Sequence, residues 1–311
     1  MSWLRRIFGP ESRNTQAKPA TGASRSGLYV VQNGRRRLAE VPYQLPSDMQ
    51  ETNRLDFQHY MLRYAMHGIY AAPLEQVNSV LDVGCGTGRW AMEMANVFPD
   101  ANIVGVDINP PAIEDPTTLV GFQMRPDNFA FIQSNLLEGP LPFADNTFDY
   151  THMRLLFLAI PADRWPGVVR ELVRVTRPGG WIELVEGGFS VGVGPISNRM
   201  NQWVDAICTK RNINVRLGAR VGEFLSEAGL ANVQARTVAL PIGPWGGHIG
   251  QMMQSDLDAV AAAMRGAWIA SGLTTPEGYE ETVAGSHEES NSGQYHGSFP
   301  FFLAYGQKIF A

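Results

Sequence analysis

Residues 79–110 read SVLDVGCGTGRWAMEMANVFPDANIVGVDINP, and this stretch decides the fold. An apolar run leads into three glycines at alternate positions, Gly84, Gly86 and Gly88. A helical pattern follows and stops at a proline, and a second apolar run ends in an acid, Asp107. A strand, a glycine loop, a helix and a second strand at this spacing predict a βαβ unit with a ligand site at the loop.

The glycine spacing and its two acids indicate which ligand this loop binds. Glycine lets a ligand approach the backbone, and the following helix presents its N-terminal amides to that ligand. Dinucleotides usually bind G-x-G-x-x-G, whereas this loop is G-x-G-x-G preceded by Asp82. Asp82 is unfavourable beside a pyrophosphate but favourable beside the α-ammonium of S-adenosylmethionine, and Asp107 can accept from both ribose hydroxyls. The sequence therefore predicts S-adenosylmethionine as the cofactor; the alternatives are an NAD(P) oxidoreductase and a structural turn.

The remaining chain alternates apolar runs with helical patterns, which predicts an α/β fold with a doubly wound, Rossmann-like sheet. The seven predicted strands are 79–83, 101–108, 128–134, 147–153, 181–186, 232–240 and 301–310. The predicted helices are 48–66, with Ser47 and Gln50 as a capping box, 88–98, 162–175, 221–229 and 246–272. Helical lid elements are expected at about 190–228 and 244–298, the second being an insertion before the last strand that ends in a polar stretch, 274–298.

Residues 1–46 are predicted to form a basic arm in front of a domain at 47–311. Residues 1–40 hold eight Lys/Arg and two Asp/Glu, a net charge of +6, which leaves −11 for the rest of a chain whose total is −5. An acidic domain disfavours nucleic acid as a partner. The arm itself could contact anions or another copy of the chain, which predicts a homo-oligomer joined through the arm.

Within the arm, an apolar helix face, a linker and a hairpin are predicted. Trp3, Leu4, Ile7 and Phe8 would share one face of a short helix that docks on a membrane surface or a subunit, or this end is frayed. Residues 9–26 have the composition of a linker. The segment 29–46 is either a hairpin turning at Asn33-Gly34 or an extended arm.

The composition disfavours several classes of protein. The chain is 44% hydrophobic and 18% charged, as in a soluble enzyme. It has no apolar run of about 18 residues, so no stable membrane insertion is expected. The first residues lack the apolar core of a secretory signal. Two cysteines cannot make a disulfide framework and suit a reducing compartment, so we expect a cytoplasmic protein.

Several segments beyond Asp107 carry a family resemblance. FIQSNLL at 131–137, LPFADNTFD at 141–149 and RPGG at 177–180 resemble the body of a class I S-adenosylmethionine-dependent methyltransferase. The chain further resembles the LaeA-type secondary-metabolism methyltransferases over roughly 47–311. The segments that carry this second resemblance are ETNRLDFQHYMLRY at 51–64, FDYTHMR at 148–154, PGGWIELVE at 178–186, LPIGPW at 240–245 and HGSFPFFLAYGQK at 296–308.

The resemblance implies a set of cofactor-binding residues. Asn135 would accept from the adenine amino group, where the family usually has Asp, and Leu136 would offer an amide and an apolar contact to the ring. Arg154 would bind the methionyl carboxylate or a substrate anion, or else pair with Asp149 or Glu186. The full expected set is Asp82, Gly84, Cys85, Gly86, Gly88, Asp107, Ile108, Asn135, Leu136, His152 and Arg154.

Methyl transfer from a sulfonium mainly requires alignment and exclusion of water, so the sequence need not contain a catalytic motif. The catalytic candidates are His152, His248, His296 and Glu186. No metal-ligand spacing is present, and no metal is predicted.

The resemblance also sets the expected role. We expect a bacterial relative that tailors a natural product, with a small apolar substrate and S-adenosylhomocysteine as the product. The alternative is a protein-directed methyltransferase or a cofactor-binding regulator.

Overall fold

The computed structural model describes residues 29–32, 34–39, 41, 43, 45–110 and 126–310. A short antiparallel hairpin comes first, with β1 (Tyr29–Gln32) paired to β2 (Arg35–Leu38). This pairing confirms the hairpin and excludes the extended arm, although Asn33 itself lies outside the described residues. The predictions made for residues 1–28 also fall outside them.

The first helix is α1 (Met49–Met66), and its N-terminal cap differs from the prediction. The side chain of Asp48, not Ser47, caps the helix by accepting from the Glu51 amide at 3.1 Å. Arg35 holds the Asp48 carboxylate at 2.5 Å, which fixes it at the helix start. Ser47 instead accepts a hydrogen bond from Asn109. The capping box was therefore wrong, because a charged acceptor one residue further on replaces the hydroxyl.

A seven-stranded sheet forms the centre of the chain, which confirms the predicted fold class. Its first five strands run parallel and are apolar on both faces, since helices cover both faces of the sheet. They are β3 (Ser79–Val83), β4 (Asn102–Asp107), β5 (Phe129–Gln133), β6 (Phe148–Arg154) and β7 (Thr176–Gly187).

The strand order places several chain segments at one edge of the sheet. The spatial order begins β5-β4-β3-β6-β7, so the chain leaves β3 toward β4 on one side and later returns to β6 on the other. Ligands bind at such a switch point, beyond the carboxyl ends of the strands. Helix α2 (Arg89–Val97) starts there, and α3 (Trp165–Val175) connects β6 to β7.

Beyond β7 the chain adds helices and two antiparallel strands. Helices α4 (Pro195–Thr209) and α5 (Val221–Glu227) precede β8 (Ala231–Pro241). Helices α6 (Gly247–Ala270) and α7 (Pro276–Asn291) precede β9 (Ser298–Gln307), which lies between β7 and β8. Short 3-10 turns occur at Ala162–Arg164, Val215–Arg220 and Pro244–Gly246.

The polar stretch 274–298 contains a helix of its own. Thr275 caps α7 by accepting from the Gly278 amide at 3.0 Å, and Pro276 occupies the first turn, where its missing amide hydrogen costs nothing. Helix α7 packs on α4, and α6 packs on α1. These four helices cover the carboxyl edge of the sheet. Among the described residues, no helix is both long enough and apolar enough to cross a membrane.

Candidate functional site

Two cavities lie at the carboxyl edge of the sheet. The large cavity, of about 880 Å³, is bounded by the glycine loop, the ends of β4, β5 and β6, and the hairpin. The small cavity, of about 160 Å³, lies between α1, α4, α6, α7 and the chain after β7. Every residue predicted to bind cofactor lines the large cavity except Gly88.

The glycine loop adopts the backbone conformation that only glycine tolerates readily. Gly84, Gly86 and Gly88 have φ values of 69°, 53° and 76°. A Cβ on Gly84 would also lie 2.7 Å from the side chain of Leu156. Gly88 ends the loop as the N-cap of α2, without a side-chain cap. The loop therefore exposes backbone to the large cavity and directs a helix N-terminus toward it.

Asp107 fastens the loop to the end of β4. One carboxylate oxygen accepts from the Gly86 amide at 2.9 Å, and the other accepts from the Asn109 amide at 2.8 Å. Each oxygen keeps a further acceptor site that could take a ribose hydroxyl. Burial raises the pKa of Asp107 to about 6, and the two amide hydrogen bonds oppose that shift. The segment after β4 is also joined to the hairpin, since Tyr29 donates to the side chain of Asn109.

Asp82 and His152 form a buried pair at the switch point. His152 Nδ1 lies 2.9 Å from Asp82 Oδ1, on neighbouring strands β3 and β6. The imidazole stacks on Trp90 with ring centroids 3.8 Å apart, and Trp90 donates to the carbonyl of Ile69. These contacts fix the ring orientation, and both side chains line the large cavity.

Arg154 pairs with neither of the carboxylates predicted as its structural partners. Its guanidinium lies 3.2 Å from Nδ1 of His59, while Asp149 pairs with Arg177 and accepts from backbone amides. Burial and nearby arginines lower the pKa of His59 to about 3, so its imidazole is neutral and accepts from Arg154. The guanidinium lines the large cavity, where it could face an anionic group.

Three further predicted residues lie at the ends of β4 and β5. Asn135 and Leu136 line the large cavity, and Asn135 Oδ1 accepts from the Leu137 amide at 3.0 Å. That oxygen keeps one acceptor site. Ile108 also lines the cavity, and its carbonyl accepts from Gln133.

The other catalytic candidates lie outside both cavities. Glu186 is fully buried on β7 and accepts from the amides of Leu156 and Phe157 at 3.1 and 2.9 Å. Burial raises its pKa to about 8. His248 is exposed at the start of α6, and His296 packs edge-on against Trp245. None of these three side chains lines a described cavity.

The small cavity has apolar walls and a buried ionic cluster at one side. Arg54 binds Glu51 at 2.6 Å and Asp256 at 2.9 Å, and all three side chains are less than 9% exposed. The aromatic and sulfur-bearing residues of its walls are Tyr43, Phe157, Phe189, Met200, Met253, Met264, Trp268, Tyr295, Phe299 and Phe301.

Four residues line both cavities and therefore mark where they meet: Tyr43, Leu55, Gln58 and Leu155.

Sequence reasoning did not assign functional roles to the hairpin, Tyr43, His59 or the Arg54 cluster. The glycine motif after β3 predicts only the contacts of nearby residues in the sequence. The hairpin, Tyr43, His59 and the Arg54 cluster are brought to the site by tertiary packing. One signal was present: Glu51 and Arg54 are spaced i, i+3, at the distance of an ion pair on a helix.

Comparisons with known proteins agree with this geometry. Residues 80–180 match the family described as "Methyltransferase domain". The chain is 30% identical over 239 residues to the N-methyltransferase sirN of Leptosphaeria maculans, covering 73% of this chain and 81% of that protein. The chain belongs to the class I methyltransferases that use S-adenosylmethionine.

Longer methyltransferases are similar as well. The chain is 29% identical to the protein-methionine methyltransferase laeA of Emericella nidulans, over 76% of this chain and 65% of that protein. It thus spans less than two thirds of the length of that relative. Among solved structures, a geranyl diphosphate methyltransferase in complex with S-adenosylmethionine aligns with a TM-score of 0.48 at 16% identity, covering 86% of this chain and 98% of that one. No group of three His, Cys, Asp or Glu suited to a metal occurs in this methyltransferase within the residues that the structure describes.

Proposed function

We propose that this protein transfers the methyl group of S-adenosylmethionine to a small, largely apolar molecule held in the small cavity. The observation that supports this most directly is the meeting of the two cavities at Tyr43, Leu55, Gln58 and Leu155. A cofactor-sized cavity thereby opens onto a smaller cavity with mainly apolar walls. An acceptor in the small cavity can approach a cofactor methyl group in line and away from water.

The residues of the large cavity suit the cofactor. Asp107 would hold the ribose hydroxyls, Asp82 the α-ammonium and Arg154 the carboxylate, while Asn135 and Leu136 would contact the adenine. When bound, S-adenosylmethionine supplies an electrophilic methyl carbon on a sulfonium with an excellent leaving group. The chain's own residues would align the acceptor with that methyl carbon and exclude water. His152 is held by Asp82 and Trp90, so it would shape the cavity beside the cofactor.

The walls of the small cavity support a small substrate. Its volume of about 160 Å³ is close to that of a protein cavity that binds benzene, about 150 Å³. The similarity to an N-methyltransferase of which the chain covers 81% supports methyl transfer as the activity of the whole chain. A bacterial pathway, a cytoplasmic location and assembly through the arm stay predictions.

A second candidate is methylation of a protein side chain, since one similar protein is a protein-methionine methyltransferase. A thioether needs no general base, and a cavity of this size would also hold one side chain. The two candidates differ in how the acceptor enters, because a protein segment must leave its backbone outside the cavity.

Mass spectrometry tests the proposed function. Incubation with S-adenosylmethionine and a small-molecule extract is expected to produce S-adenosylhomocysteine together with metabolites that each gain the mass of one methylene group. If only proteins gained methyl groups, methylation of a protein side chain would be supported instead. If calorimetry showed tight binding of NAD and no binding of S-adenosylhomocysteine, both candidate functions would be contradicted.

Replacing Asp107 with Ala is expected to weaken S-adenosylhomocysteine binding by about 1–3 kcal/mol, because the ribose hydroxyls lose their acceptor. The amides of Gly86 and Asn109 lose theirs too. Since the pKa of Asp107 is raised to about 6, wild-type affinity is expected to fall as the pH drops through that value. Calorimetry measures both effects, with the exposed Asp100→Ala as the control. Equal affinities of the two variants would exclude Asp107 from the site.

A further inference from the structure

Arg154, the last residue of β6, carries a positive charge that no carboxylate of the described residues pairs with directly. Burial lowers the pKa of its guanidinium, and nearby acids oppose that shift from a longer distance. Two of these acids are engaged elsewhere, since Asp82 lies against His152 and Glu183 accepts from two backbone amides. A largely buried cation without an ion-pair partner is unfavourable, so an anionic group of a ligand would be stabilised beside it.

His59 on α1 is the hydrogen-bond partner that the described residues offer to this guanidinium. Its Nδ1 lies 3.2 Å from a terminal nitrogen of Arg154. An arginine only donates, so Nδ1 must carry the lone pair and the proton of the neutral imidazole must be on Nε2. The ring is buried, and its pKa of about 3 keeps it neutral at ordinary pH.

The opposite side of the imidazole faces α2. Nε2 of His59 lies 3.3 Å from one carboxylate oxygen of Glu93, and the other oxygen of Glu93 binds Arg63 at 2.9 Å. A carboxylate beside Nε2 favours the proton on that nitrogen, which keeps the lone pair of Nδ1 toward Arg154. The ring also packs edge-on against Tyr60. The acceptor that holds Arg154 is therefore fixed in both orientation and tautomer.

The guanidinium held in this way belongs to the large cavity. Arg154 is partly exposed and lines that cavity, as does His59. One nitrogen is bound to His59, and the remaining N–H groups of the planar fork suit a carboxylate. Asp82 lines the same cavity on the neighbouring strand β3, so an acid and a cation stand side by side. This pair complements the ammonium and the carboxylate of an α-amino acid.

We propose that His59 is a positioning residue that aims the Arg154 guanidinium at the carboxylate of the cofactor's amino-acid end. The site thereby discriminates against adenosine thioethers that lack this carboxylate. His59 acts through Arg154 and contacts no reacting atom. This inference rests on the proposed function, because it takes the large cavity as the site of S-adenosylmethionine.

The test compares S-adenosylhomocysteine with its decarboxylated analogue, which keeps the adenosine, the sulfur and the ammonium. Calorimetry on the full chain is expected to show tighter binding of S-adenosylhomocysteine. His59→Phe keeps a buried ring but removes the acceptor. It is expected to weaken S-adenosylhomocysteine about tenfold, as the loss of one charge-assisted hydrogen bond implies, and to leave the analogue nearly unchanged.

Three further variants show whether His59 acts through Arg154. His59→Asn supplies an oxygen acceptor in place of Nδ1 and is expected to retain most of the preference. Arg154→Met is expected to lose the preference, and adding His59→Phe to it is expected to cause no further loss. Asn53→Leu, at an exposed position of α1, is the control and is expected to bind both ligands as the wild type does.

Several outcomes would overturn the inference while leaving cofactor binding intact. These are equal affinities of the two ligands for the wild type, equal weakening of both in His59→Phe, and a further loss in the double variant. If His59→Phe does not fold, nitrogen NMR of the wild type with labelled histidine decides. His59 is expected to be neutral with its proton on Nε2, and a proton on Nδ1 would overturn the inference. Failure of S-adenosylhomocysteine itself to bind would instead contradict the proposed function.

Discussion

Arg54→Met is expected to lower the free energy of unfolding at pH 7 by about 3–5 kcal/mol, the usual cost of removing one partner from a buried ion pair. The substitution leaves Glu51 and Asp256 buried without their cation. Glu51 already has a pKa raised by burial, which its bonds to Arg54 oppose. Because the Arg54 side chain joins α1 to α6, its removal is also expected to loosen the wall of the small cavity. Denaturant unfolding measures the change.

The matched control for that variant is Arg63→Met on the same helix. Arg63 also pairs with a glutamate, Glu93, but its side chain is 53% exposed, so the expected loss is below about 1 kcal/mol. A triple variant combines Arg54→Met with Glu51→Gln and Asp256→Asn. It is expected to recover part of the stability lost in Arg54→Met, since no buried charge then remains unpaired. Equal decreases in the free energy of unfolding in Arg54→Met and Arg63→Met would show that the buried ion pairs of Arg54 do not stabilise the fold more than an exposed ion pair does.

Glu186→Gln is expected to change how stability depends on pH. The pKa of Glu186 is raised from 4.5 in the unfolded chain to about 8 in the folded protein because the carboxyl is buried, and the hydrogen bonds from the Leu156 and Phe157 amides oppose that shift. The folded state therefore binds more protons between these values, and wild-type stability falls as the pH rises through them. The slope from this one group is at most about 1.4 kcal/mol per pH unit.

The uncharged glutamine cannot lose a proton, so the variant gains stability relative to wild type between pH 5 and about 8. Unfolding curves at pH 5, 6.5 and 8 measure this difference, in which other titrating groups cancel. Glu288→Gln is the control, because its side chain is exposed on α7 and its charge is not buried. A difference that stays constant with pH for Glu186→Gln would show that the carboxyl is ionised throughout.

The sheet could be predicted because its signal is local. Strands buried on both faces are continuous apolar runs. Glycine marks the end of β3 at Gly84, and proline marks the end of the following helix at Pro99. The same pattern explains why most residues predicted to bind the cofactor line the large cavity, since the carboxyl ends of parallel strands meet at one edge.

The rest of the site depends on contacts that are distant in sequence. Arg54 meets Asp256, and Tyr29 meets Asn109, and no local periodicity relates the members of these pairs. The partner of Arg154 was also not predicted, because His59 lies on α1 rather than on a neighbouring strand. The small cavity forms only when α1, α4, α6 and α7 pack together, so its charge balance could not be inferred from residues at the ends of strands.

The insertion between β8 and β9 begins and ends at one place in the sheet. Pro241 and Ser298 face each other as paired residues, so α6 and α7 leave and rejoin the sheet at adjacent positions. Exchange of that segment for another of different length would preserve the strand pairing on either side. Evolution could therefore vary the helices that wall the small cavity while the strands and glycine loop around the large cavity stay unchanged. Laboratory recombination of related segments could use the same two junctions.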